Sequence, residues 1–360
     1  MSDYAGMIGD LSTKAIGMDV SDKWSRIFVV HEKGEEEELR IRTTPEDVEA
    51  FFSEYEGVRV ILEAGTHSPW ISEMLEELGH EVIVTDPGET ALISKGKKKS
   101  DREDAKKLAY LGVVNPSLLS PIRHRGREAR LDLSKVRLRS LLVQMRTQAM
   151  LHVRGVVKSF GLRVKSHSPE VFPRKVREEL AGEAILAAVE PALKTMEGLT
   201  EEIRKLDRWL EEAAPKKYPE VELLRQVDGV GPVVSLTYVL TLEDPHRFRR
   251  SRDVGAYVGL VPRLHESGEQ EGPRRLSKAG DEELRRVLIQ AAHHVLGRWG
   301  KDSRLRRWGL ALMERKGRKK AVAAVARKLA VILHRIWVTG AEWDPEHGIR
   351  ARKAVPAEAK

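Results

Sequence analysis

Four acidic side chains point most directly to chemistry in this sequence. Asp19 and Glu63 each lie at the end of a predicted strand, and Asp101 and Asp104 lie on a predicted helix. The i, i+3 spacing of the last two places them on one helix face. Carboxylates gathered in one place repel each other unless a divalent cation lies between them. Three or four carboxylates suit Mg²⁺ or Mn²⁺, the ions of two-metal phosphoryl transfer. The pattern therefore predicts metal-dependent chemistry on a phosphate.

Each of these acids, taken alone, also has a simpler interpretation. Asp19 fits an ordinary acid at a strand end, and Asp101 and Asp104 fit favourable charges in the first turn of a helix. Glu63 is harder to explain in that way, because a carboxylate that follows a hydrophobic strand needs a partner. Taken together in the predicted sheet order, the four acids favour the catalytic interpretation.

The elements that position these acids are five predicted strands with interspersed helices. Strands are predicted at residues 14–20, 25–31, 37–42, 58–63 and 81–85, and helices at residues 45–55, 69–78 and 101–111. Three hairpin-linked strands followed by alternating helices and strands indicate an α/β ribonuclease H-like fold with strand order 3-2-1-4-5. Strands one and four are then neighbours, about 4.8 Å apart. Asp19 and Glu63 should lie side by side at the carboxyl edge of the sheet, where open α/β sheets bind ligands.

The remainder of the chain is predicted to be mostly helical. A helix over residues 127–157 carries an apolar stripe, and with helices in residues 174–210 it predicts an antiparallel hairpin suited to dimerisation. The stripe on the first of these helices consists of Leu131, Leu138, Leu141, Leu142, Met145 and Ala149.

Residues 223–235 have a helix, a Gly-x-Gly turn and a second helix, the pattern of a helix-hairpin-helix that contacts DNA phosphates.

Four regions follow from these patterns. We expect a catalytic domain at residues 13–120, a helical coiled-coil segment at residues 121–214, a C-terminal domain at residues 215–340 and a tail at residues 341–360. The chain of 360 residues is long enough for two or three such domains.

Charge and composition narrow the class of partner. The net charge is +8, the isoelectric point is near 9.5, and 33% of residues are charged, which permits binding to nucleic acid. The sequence lacks cysteine, which excludes disulfides and Cys-ligated zinc, and it has no apolar stretch of about 20 residues for a membrane span. We expect a cytoplasmic, nucleoid-associated protein without a membrane partner. An aromatic content of 5% predicts binding dominated by phosphate contacts and steeply dependent on salt.

The predicted nucleic-acid contacts are basic residues near the acids and in the C-terminal half, together with the glycines of the Gly-x-Gly turn. They are Lys97, Lys98, Lys99, Arg102, Gly229, Gly231, Arg274, Arg275, Lys278 and Arg285.

In their order along the chain, several short motifs resemble those of the DEDD transposases of bacterial insertion sequences, the insertion-sequence one-ten family. Each motif is modest alone, but the set covers nearly the whole chain and is specific in combination. The motifs are Ile16-Gly-Met-Asp19, Leu62-Glu-Ala-Gly-Thr66, residues 99–109, Val227-Asp-Gly-Val-Gly-Pro232, Tyr257-Val-Gly-Leu-Val-Pro262, Glu266-Ser-Gly268 and residues 276–285.

The resemblance implies a RuvC-like domain, a coiled coil and a C-terminal transposase domain with a catalytic serine. The four acids of the family map onto Asp19, Glu63, Asp101 and Asp104, where they would bind a pair of Mg²⁺ or Mn²⁺ ions. The serine maps onto Ser267, which would form a 5′-phosphoserine link, with Ser277 as the second choice. The resemblance also implies donor and target DNA as partners, together with a structured bridge RNA that guides them.

One position departs from the family pattern. Asp86-Pro87 stands where Asn-Pro is expected, so a fifth acid at the site remains open. A homodimer and a homotetramer also both remain open.

Three other functions fit part of the sequence. A RuvC-like Holliday-junction or structure-specific endonuclease would use water as the nucleophile and form no covalent adduct with DNA. An actin-like or sugar-kinase-like ATPase would also place an acid such as Asp19 before a hairpin, but the chain lacks a second Asp-x-Gly-x-Thr loop. The third function is a DNA-binding relic without activity, although folding alone does not require the four acids together.

Overall fold

The chain divides into two compact units, Met1–Arg125 and Gly126–Lys360. The computed structural model describes residues 13–87, 101–114, 121–263, 275–346 and 348–350. Within these ranges every helix is too short or too polar to cross a lipid bilayer.

The N-terminal unit is built on a five-stranded sheet with the order β3-β2-β1-β4-β5, as the sequence predicts. β1, β2 and β3 pair antiparallel, whereas β4 is parallel to both β1 and β5. The elements of this unit are β1 (Thr13–Asp19), β2 (Trp24–His31), β3 (Glu36–Arg42), α1 (Pro45–Phe52), β4 (Arg59–Glu63), α2 (Ser68–Glu77), β5 (Glu81–Thr85) and α3 (Asp101–Val114).

Helices pack on both faces of the central strands of this sheet, and alternate residues of a strand point to opposite faces. On one face Ile16 and Met18 pack with side chains of α1 and α2. On the other face Ala15 and Ile61 pack with Leu108 of α3, and the neighbouring part of β2 packs with the same helix. The nearly continuous buried runs of β2, β4 and β5 are typical of strands that lie between two layers of helices.

The C-terminal unit is mostly helical. Its elements are α4 (Arg127–Ser159), α5 (Phe172–Glu179), α6 (Ile185–Arg208), a π-helical turn (Trp209–Ala213), α7 (Ala214–Lys217), α8 (Glu220–Leu224), α9 (Pro232–Leu242), two 3₁₀ turns (Pro245–Arg247 and Ser251–Asp253), α10 (Val254–Tyr257), α11 (Glu282–Leu296), α12 (Arg304–Lys316), α13 (Arg318–Thr339), β6 (Glu342–Asp344) and β7 (Gly348–Arg350).

The long helix α4 packs antiparallel against α6. Arg139 donates a hydrogen bond to Asp207 at 2.7 Å, and about two turns further along α4 Arg146 donates to Thr200 at 3.1 Å. Towards the end of α4, Val153 and other apolar side chains pack against the first half of α6. The predicted antiparallel hairpin is therefore present in this unit.

The apolar stripe predicted on α4 is mostly not what holds the hairpin together. Its members Leu131, Leu138, Leu141 and Met145 have exposed fractions of 60%, 48%, 51% and 43%. The helix packs within its own unit through a different set of side chains, such as Leu133, Val136 and Val153. The stripe remains on the surface of the single chain.

The core of the C-terminal unit surrounds α9, whose residues from Val234 onwards are buried. The Tyr238 hydroxyl donates a hydrogen bond to the Ala330 carbonyl at 2.6 Å, and burial raises the pKa of Tyr238. Part of the segment predicted as a tail is folded, since β6 and β7 form an antiparallel pair and Trp343 packs against this core.

Candidate active site

Asp19 and Glu63 lie at the carboxyl ends of two adjacent parallel strands. β1 and β4 pair with Gly17 opposite Ile61 and Met18 opposite Leu62, so continuing that register by one residue places Asp19 beside Glu63. Both side chains line one cavity of about 280 Å³. The predicted convergence of these two acids at the sheet edge agrees with this geometry.

Helix α3 lies on the same face of the sheet as these two carboxylates. Asp19 shares its face with Gly17, and a Cβ atom at Gly17 would lie 2.1 Å from the Ala105 carbonyl oxygen. A Cβ atom at Gly112 would likewise lie 2.1 Å from the Cδ1 atom of Ile61. The two glycines therefore let the helix backbone approach β1 and β4 closely.

The direction of α3 brings its first turn towards the acid edge. Near its end, the Gly112 carbonyl accepts a hydrogen bond from Arg59, the first residue of β4, at 3.0 Å. Because Glu63 is the last residue of β4, the helix runs antiparallel to that strand and begins towards the edge that carries Asp19. Asp101 is the first residue of α3, and Asp104 follows one turn later.

The structure places the members of the predicted acid set unequally. Asp104 is partly buried and lies 3.6 Å from the Lys107 ammonium, while the side chain of Asp101 falls outside the described part of the chain. Asp86 is exposed just after β5 and does not line the cavity of Asp19 and Glu63. Among the described side chains, no group of three or more His, Asp or Glu residues is arranged to hold a metal ion. The four-acid metal site thus remains a prediction.

A row of basic and aromatic side chains flanks Asp19 on the same face of the sheet. Asp19 pairs with Arg26 across β1 and β2, Arg26 pairs with Arg40 across β2 and β3, and Trp24 pairs with Arg42. The guanidinium carbon of Arg40 lies 4.5 Å from the centre of the Trp24 ring, and that of Arg42 lies 5.6 Å from it. We call Trp24, Arg26, Arg40 and Arg42 the tryptophan–arginine row.

Three members of this row, Trp24, Arg26 and Arg40, line a second cavity of about 350 Å³ that shares Asp19 with the first. This row was not predicted from the sequence, although part of the signal was present. Alternate positions of a strand share one face, so Trp24 lies on the same face as Arg26 and Arg40 on the same face as Arg42; the register between β2 and β3 is needed to bring the two pairs together.

A histidine also reaches the acid cavity. His67 lines it one residue after the Glu63 motif, 3.5 Å from the carboxylate of Asp22. Its Nδ1 atom accepts a hydrogen bond from the Trp70 indole at 3.1 Å, which fixes the ring and leaves Nε2 towards Asp22. A polar group is thus held at the rim of the cavity.

Of the two candidate nucleophiles, the structure describes Ser277 but not Ser267. Ser267 belongs to residues 264–274, which lie outside the described part of the chain. The Ser277 Oγ atom is buried and, among the described residues, lacks a hydrogen-bond partner. A hydroxyl that attacks a phosphate must be accessible, so this burial is consistent with Ser277 as the second choice.

The two ends of the segment that carries Ser267 are joined to each other. Pro262 forms an isolated antiparallel bridge with Leu276, and the Arg263 amide donates to the Arg275 carbonyl at 2.9 Å. Nearby, a Cβ atom at Gly280 would lie 1.9 Å from the Tyr257 carbonyl oxygen. The two motifs that flank the serine segment thus pack backbone against backbone.

The predicted nucleic-acid contacts in the C-terminal unit are partly placed. Arg275 and Lys278 are exposed, and Lys278 has a positive φ of 56°. Arg285 donates to the carbonyls of Val258 and Ala279, at 3.2 and 3.0 Å, so its guanidinium also holds the paired motifs together. Lys97, Lys98, Lys99 and Arg274, and the side chain of Arg102, lie outside the described residues.

The Gly-x-Gly turn lies between α8 and α9 and lines a cavity of about 610 Å³. Gly229 has a φ of 81°, and a Cβ atom there would lie 2.9 Å from the Ala291 carbonyl oxygen, so the position favours glycine. Asp228, at the same turn, accepts a hydrogen bond from the Lys301 amide at 2.9 Å and lies 3.5 Å from His294. A phosphate contact by Gly229 and Gly231 remains a prediction.

Two family models match the chain, and together they cover well over half of it. A model for DEDD transposases of the IS110 type, described as a transposase, matches residues 16–161. A second model, described as the transposase IS116/IS110/IS902 family, matches residues 221–307. The chain belongs to the IS110-type transposases of insertion sequences, as the resemblance of its motifs indicated.

Curated relatives agree with this assignment over most of their length. The chain is 27% identical to the putative transposase y4pF/y4sB of Sinorhizobium fredii, over 92% of this chain and 86% of the relative. It is 28% identical to the probable family 20 transposase of Pseudomonas aeruginosa, over 90% and 96%. It is also 29% identical to the transposase for insertion sequence element IS1111A of Coxiella burnetii, over 65% of each chain.

Proposed function

We propose that this chain is a metal-dependent DNA recombinase that cuts and rejoins the strands of its insertion sequence through a phosphoserine link. The observation that carries the proposal is the meeting of Asp19 and Glu63 in one cavity, at the ends of adjacent parallel strands, on the face covered by α3. The strand order β3-β2-β1-β4-β5 supports a ribonuclease H-like, RuvC-like assignment for this unit.

The donor set at this edge fits a hard divalent cation. Asp19, Glu63, Asp101 and Asp104 would hold Mg²⁺ or Mn²⁺ through oxygen atoms alone. Such ions, when bound, stabilise the charge on the attacking and leaving oxygens of the scissile phosphate. Two carboxylates that line one small cavity repel each other, so cation binding would relieve the repulsion between Asp19 and Glu63 and stabilise the fold locally.

The tryptophan–arginine row would guide a nucleic-acid strand into the cavity of Asp19. Arg40 presents positive charge on this face, where a phosphate backbone approaching negative carboxylates needs it, and Arg26, which also donates to Glu38 at 3.1 Å, lies between Arg40 and Asp19. Trp24 is an exposed aromatic residue on which a base next to the scissile phosphate stacks. The same face of the sheet thus carries both the cutting site and the contacts that orient its substrate.

Ser267 would supply the nucleophile. Its Oγ attacks the phosphorus of the scissile phosphodiester, a 5′-phosphoserine bond forms, the 3′ oxygen leaves, and the serine proton passes to solvent while the leaving oxygen is protonated. This exchange retains one phosphodiester for rejoining. The paired motifs around residues 262 and 276 anchor both ends of the segment that carries Ser267.

A second copy of the chain would complete the assembly. Leu131, Leu138, Leu141 and Met145 recur at spacings of seven, three and four residues, the a and d pattern of a coiled coil. Because these side chains are exposed on α4, we propose that α4 pairs with α4 of another protomer. The serine of one protomer would then serve the acids of another.

A structured guide RNA is part of the proposal. Its support is the family membership together with the net charge of +8. The test is to purify the protein from cells that carry the intact element and to sequence the bound RNA. A discrete species from the flank of the coding region is the expected result, whereas random fragments would remove the guide from the proposal.

Trapping a covalent adduct tests the serine chemistry. The full-length protein is incubated with Mg²⁺, co-purified RNA and end-labelled DNA that spans the element ends, then denatured and run on a gel. Label should migrate with the wild-type protein and with Ser277→Ala, but not with Ser267→Ala or Asp19→Ala. Adduct formed by Ser267→Ala but not by Ser277→Ala would move the nucleophile to Ser277. Cleavage without any adduct would contradict the phosphoserine step and favour a nuclease that uses water.

A further inference from the structure

A cavity of about 670 Å³ in the C-terminal unit combines tryptophan rings with a cluster of cations. Two of its walls are α12 and α13, and the third is the hairpin of β6 and β7. α12 contributes Arg304 and Trp308 at i, i+4 spacing, and α13 contributes Arg327, Lys328 and Arg335. Helical spacing therefore aims these side chains into the same space.

The scaffold of this cavity is firmly packed. A Cβ atom at Gly309 would lie 2.7 Å from Leu296 and from Val325, so α12 sits close against its neighbours. The Arg304 amide donates to the Pro345 carbonyl at 2.8 Å, which ties the start of α12 to the end of β6. Trp343 of β6 packs against the main core as well. The shape of the cavity is thus set by backbone contacts and buried side chains.

Its charge is one-sided. Among the described residues that line the cavity, four are Arg or Lys and none is acidic. The Lys328 ammonium lies 3.8 Å from the centre of the Trp308 ring, and burial together with the charge of Arg304 lowers the pKa of Lys328. Elsewhere on α12, Arg307 is paired with Asp302 at 2.6 Å and with Glu346 at 2.5 Å. Like charges collected without an acid favour the binding of an anion.

We propose that this cavity binds one nucleotide of a single-stranded nucleic acid, with its phosphate on Arg304, Arg327 and Arg335 and its base against Trp308. The volume falls within the range of about 300–1,000 Å³ that small-molecule sites occupy. Aromatic rings beside arginines are the combination that single-strand binding proteins use, because every base has a face that stacks. The class of ligand rests on the proposed function, but strand cleavage does not enter the argument.

Most of the predicted nucleic-acid contacts relied on phosphate binding alone, and none lies in this cavity. The cavity would therefore add a base-stacking site in the C-terminal unit, which does not carry Asp19 and Glu63. It would hold an unpaired nucleotide of the guide RNA or of an opened DNA strand.

Fluorescence anisotropy with a labelled single-stranded oligonucleotide of about 15 nucleotides tests the site. The full-length protein is measured in EDTA, so the result does not depend on metal-dependent cleavage. The double variant Arg304→Gln/Arg335→Gln should bind about tenfold more weakly, and its salt slope should fall by about 1.4, the value for two lost phosphate contacts on a single strand. The matched control is Arg307→Gln, which removes an equally exposed but ion-paired arginine and should change binding less than about twofold.

A second variant separates base stacking from charge. Trp308→Leu keeps an apolar side chain but should reduce the preference for an ordinary oligonucleotide over an abasic one of equal length, and the stacking proposed for Trp24 should supply what remains of that preference. Equal losses in Arg307→Gln and in the double variant would overturn the proposal, since general surface charge would then explain them. Equal competition by inorganic polyphosphate or by phosphatidylserine vesicles would also overturn it, by showing a site for anions of any kind. Failure of the covalent-adduct assay with normal anisotropy results would contradict the cleavage chemistry alone.

Discussion

Gly17 of β1 lies directly against Ala105 of α3, so closely that a Cβ atom on Gly17 would be 2.1 Å from the Ala105 carbonyl oxygen. This contact joins the strand that ends in Asp19 to the helix that begins with Asp101. The contact therefore fixes the position of the helix relative to the sheet, and both elements would contribute ligands to the metal site.

The variant Gly17→Ala should therefore weaken both the fold and the site. Forcing a methyl group into backbone contact costs about 1–3 kcal/mol of unfolding free energy, because α3 must move away from β1. Urea denaturation measures this change, and strand cleavage should fall with it. Gly155→Ala is the matched control: a Cβ atom there would meet no described atom within 4 Å apart from the backbone of α4 itself, so the variant should be neutral or stabilising by up to about 1 kcal/mol. Equal stability of wild type and Gly17→Ala would show that α3 does not pack in this way.

Much of the N-terminal fold follows from local patterns in the sequence. The alternation of the strands and the hairpin turns gave the strand order, and the strand ends placed Asp19 beside Glu63. The position of α3 was harder to predict, because it depends on two glycines, Gly17 and Gly112, that meet the helix only in three dimensions. Neither segment contains a local sequence pattern that predicts this contact.

Side-chain clusters that depend on several elements were likewise missed. The tryptophan–arginine row requires the register between β2 and β3, which composition cannot supply. On α4 the apolar stripe was found from the sequence, but the side chains that pack inside the unit were not, since Leu138 and Leu141 are exposed while Val136 and Val153 are buried. Helical periodicity identifies an apolar face without saying which partner covers it.

The variant Trp24→Ala should lower DNA affinity by about tenfold (~1.4 kcal/mol) through the loss of one stacked base. Its melting temperature should stay within a few degrees of wild type, since the ring is exposed beside Arg40. Trp299→Ala is the matched control, because Trp299 is also exposed and also lies under an arginine, Arg298, at 4.6 Å. Equal effects of the two variants in an anisotropy assay would contradict a specific role for the row.

Asp132 should make stability depend on acid pH. Burial alone would raise the pKa of its carboxyl, but hydrogen bonds from Lys135, Lys217 and Tyr218 at 2.8 Å outweigh this and lower it from 3.8 to about 2. Because the folded pKa is the lower one, the stabilisation is present above the unfolded value and is lost as the pH falls through about 2.

The variant Asp132→Asn should therefore lower the free energy of unfolding by about 1 kcal/mol near neutral pH, with the full conversion discounted because both lysines are about half exposed to solvent. Urea denaturation at a series of pH values should show the difference from wild type shrinking below about pH 4. Glu128→Gln, which removes the exposed second partner of Lys217, should change stability by less than about 0.5 kcal/mol. A difference that stays constant down to about pH 2 would contradict the assigned network.

The exposed stripe on α4 predicts how the chain associates. Analytical ultracentrifugation of the wild type should show a dimer or larger species, and the double variant Leu138→Glu/Leu141→Glu should sediment as a monomer, because charges in a coiled-coil seam are not tolerated. Phe160→Glu places a charge on an apolar residue that lies just beyond the helix and is more exposed than Leu138 and Leu141, and it should leave the association unchanged. A monomeric wild type would contradict the proposed coiled-coil interface between protomers.

The most direct measurement is anomalous diffraction from Mn²⁺ in crystals of the protein bound to DNA. We expect a peak within about 2.2 Å of carboxylate oxygens of both Asp19 and Glu63, with Asp101 or Asp104 completing the ligands. Crystals of Asp19→Asn should lose that peak. An ordered Asp19 and Glu63 with DNA in place and no manganese between them would contradict the proposed metal site.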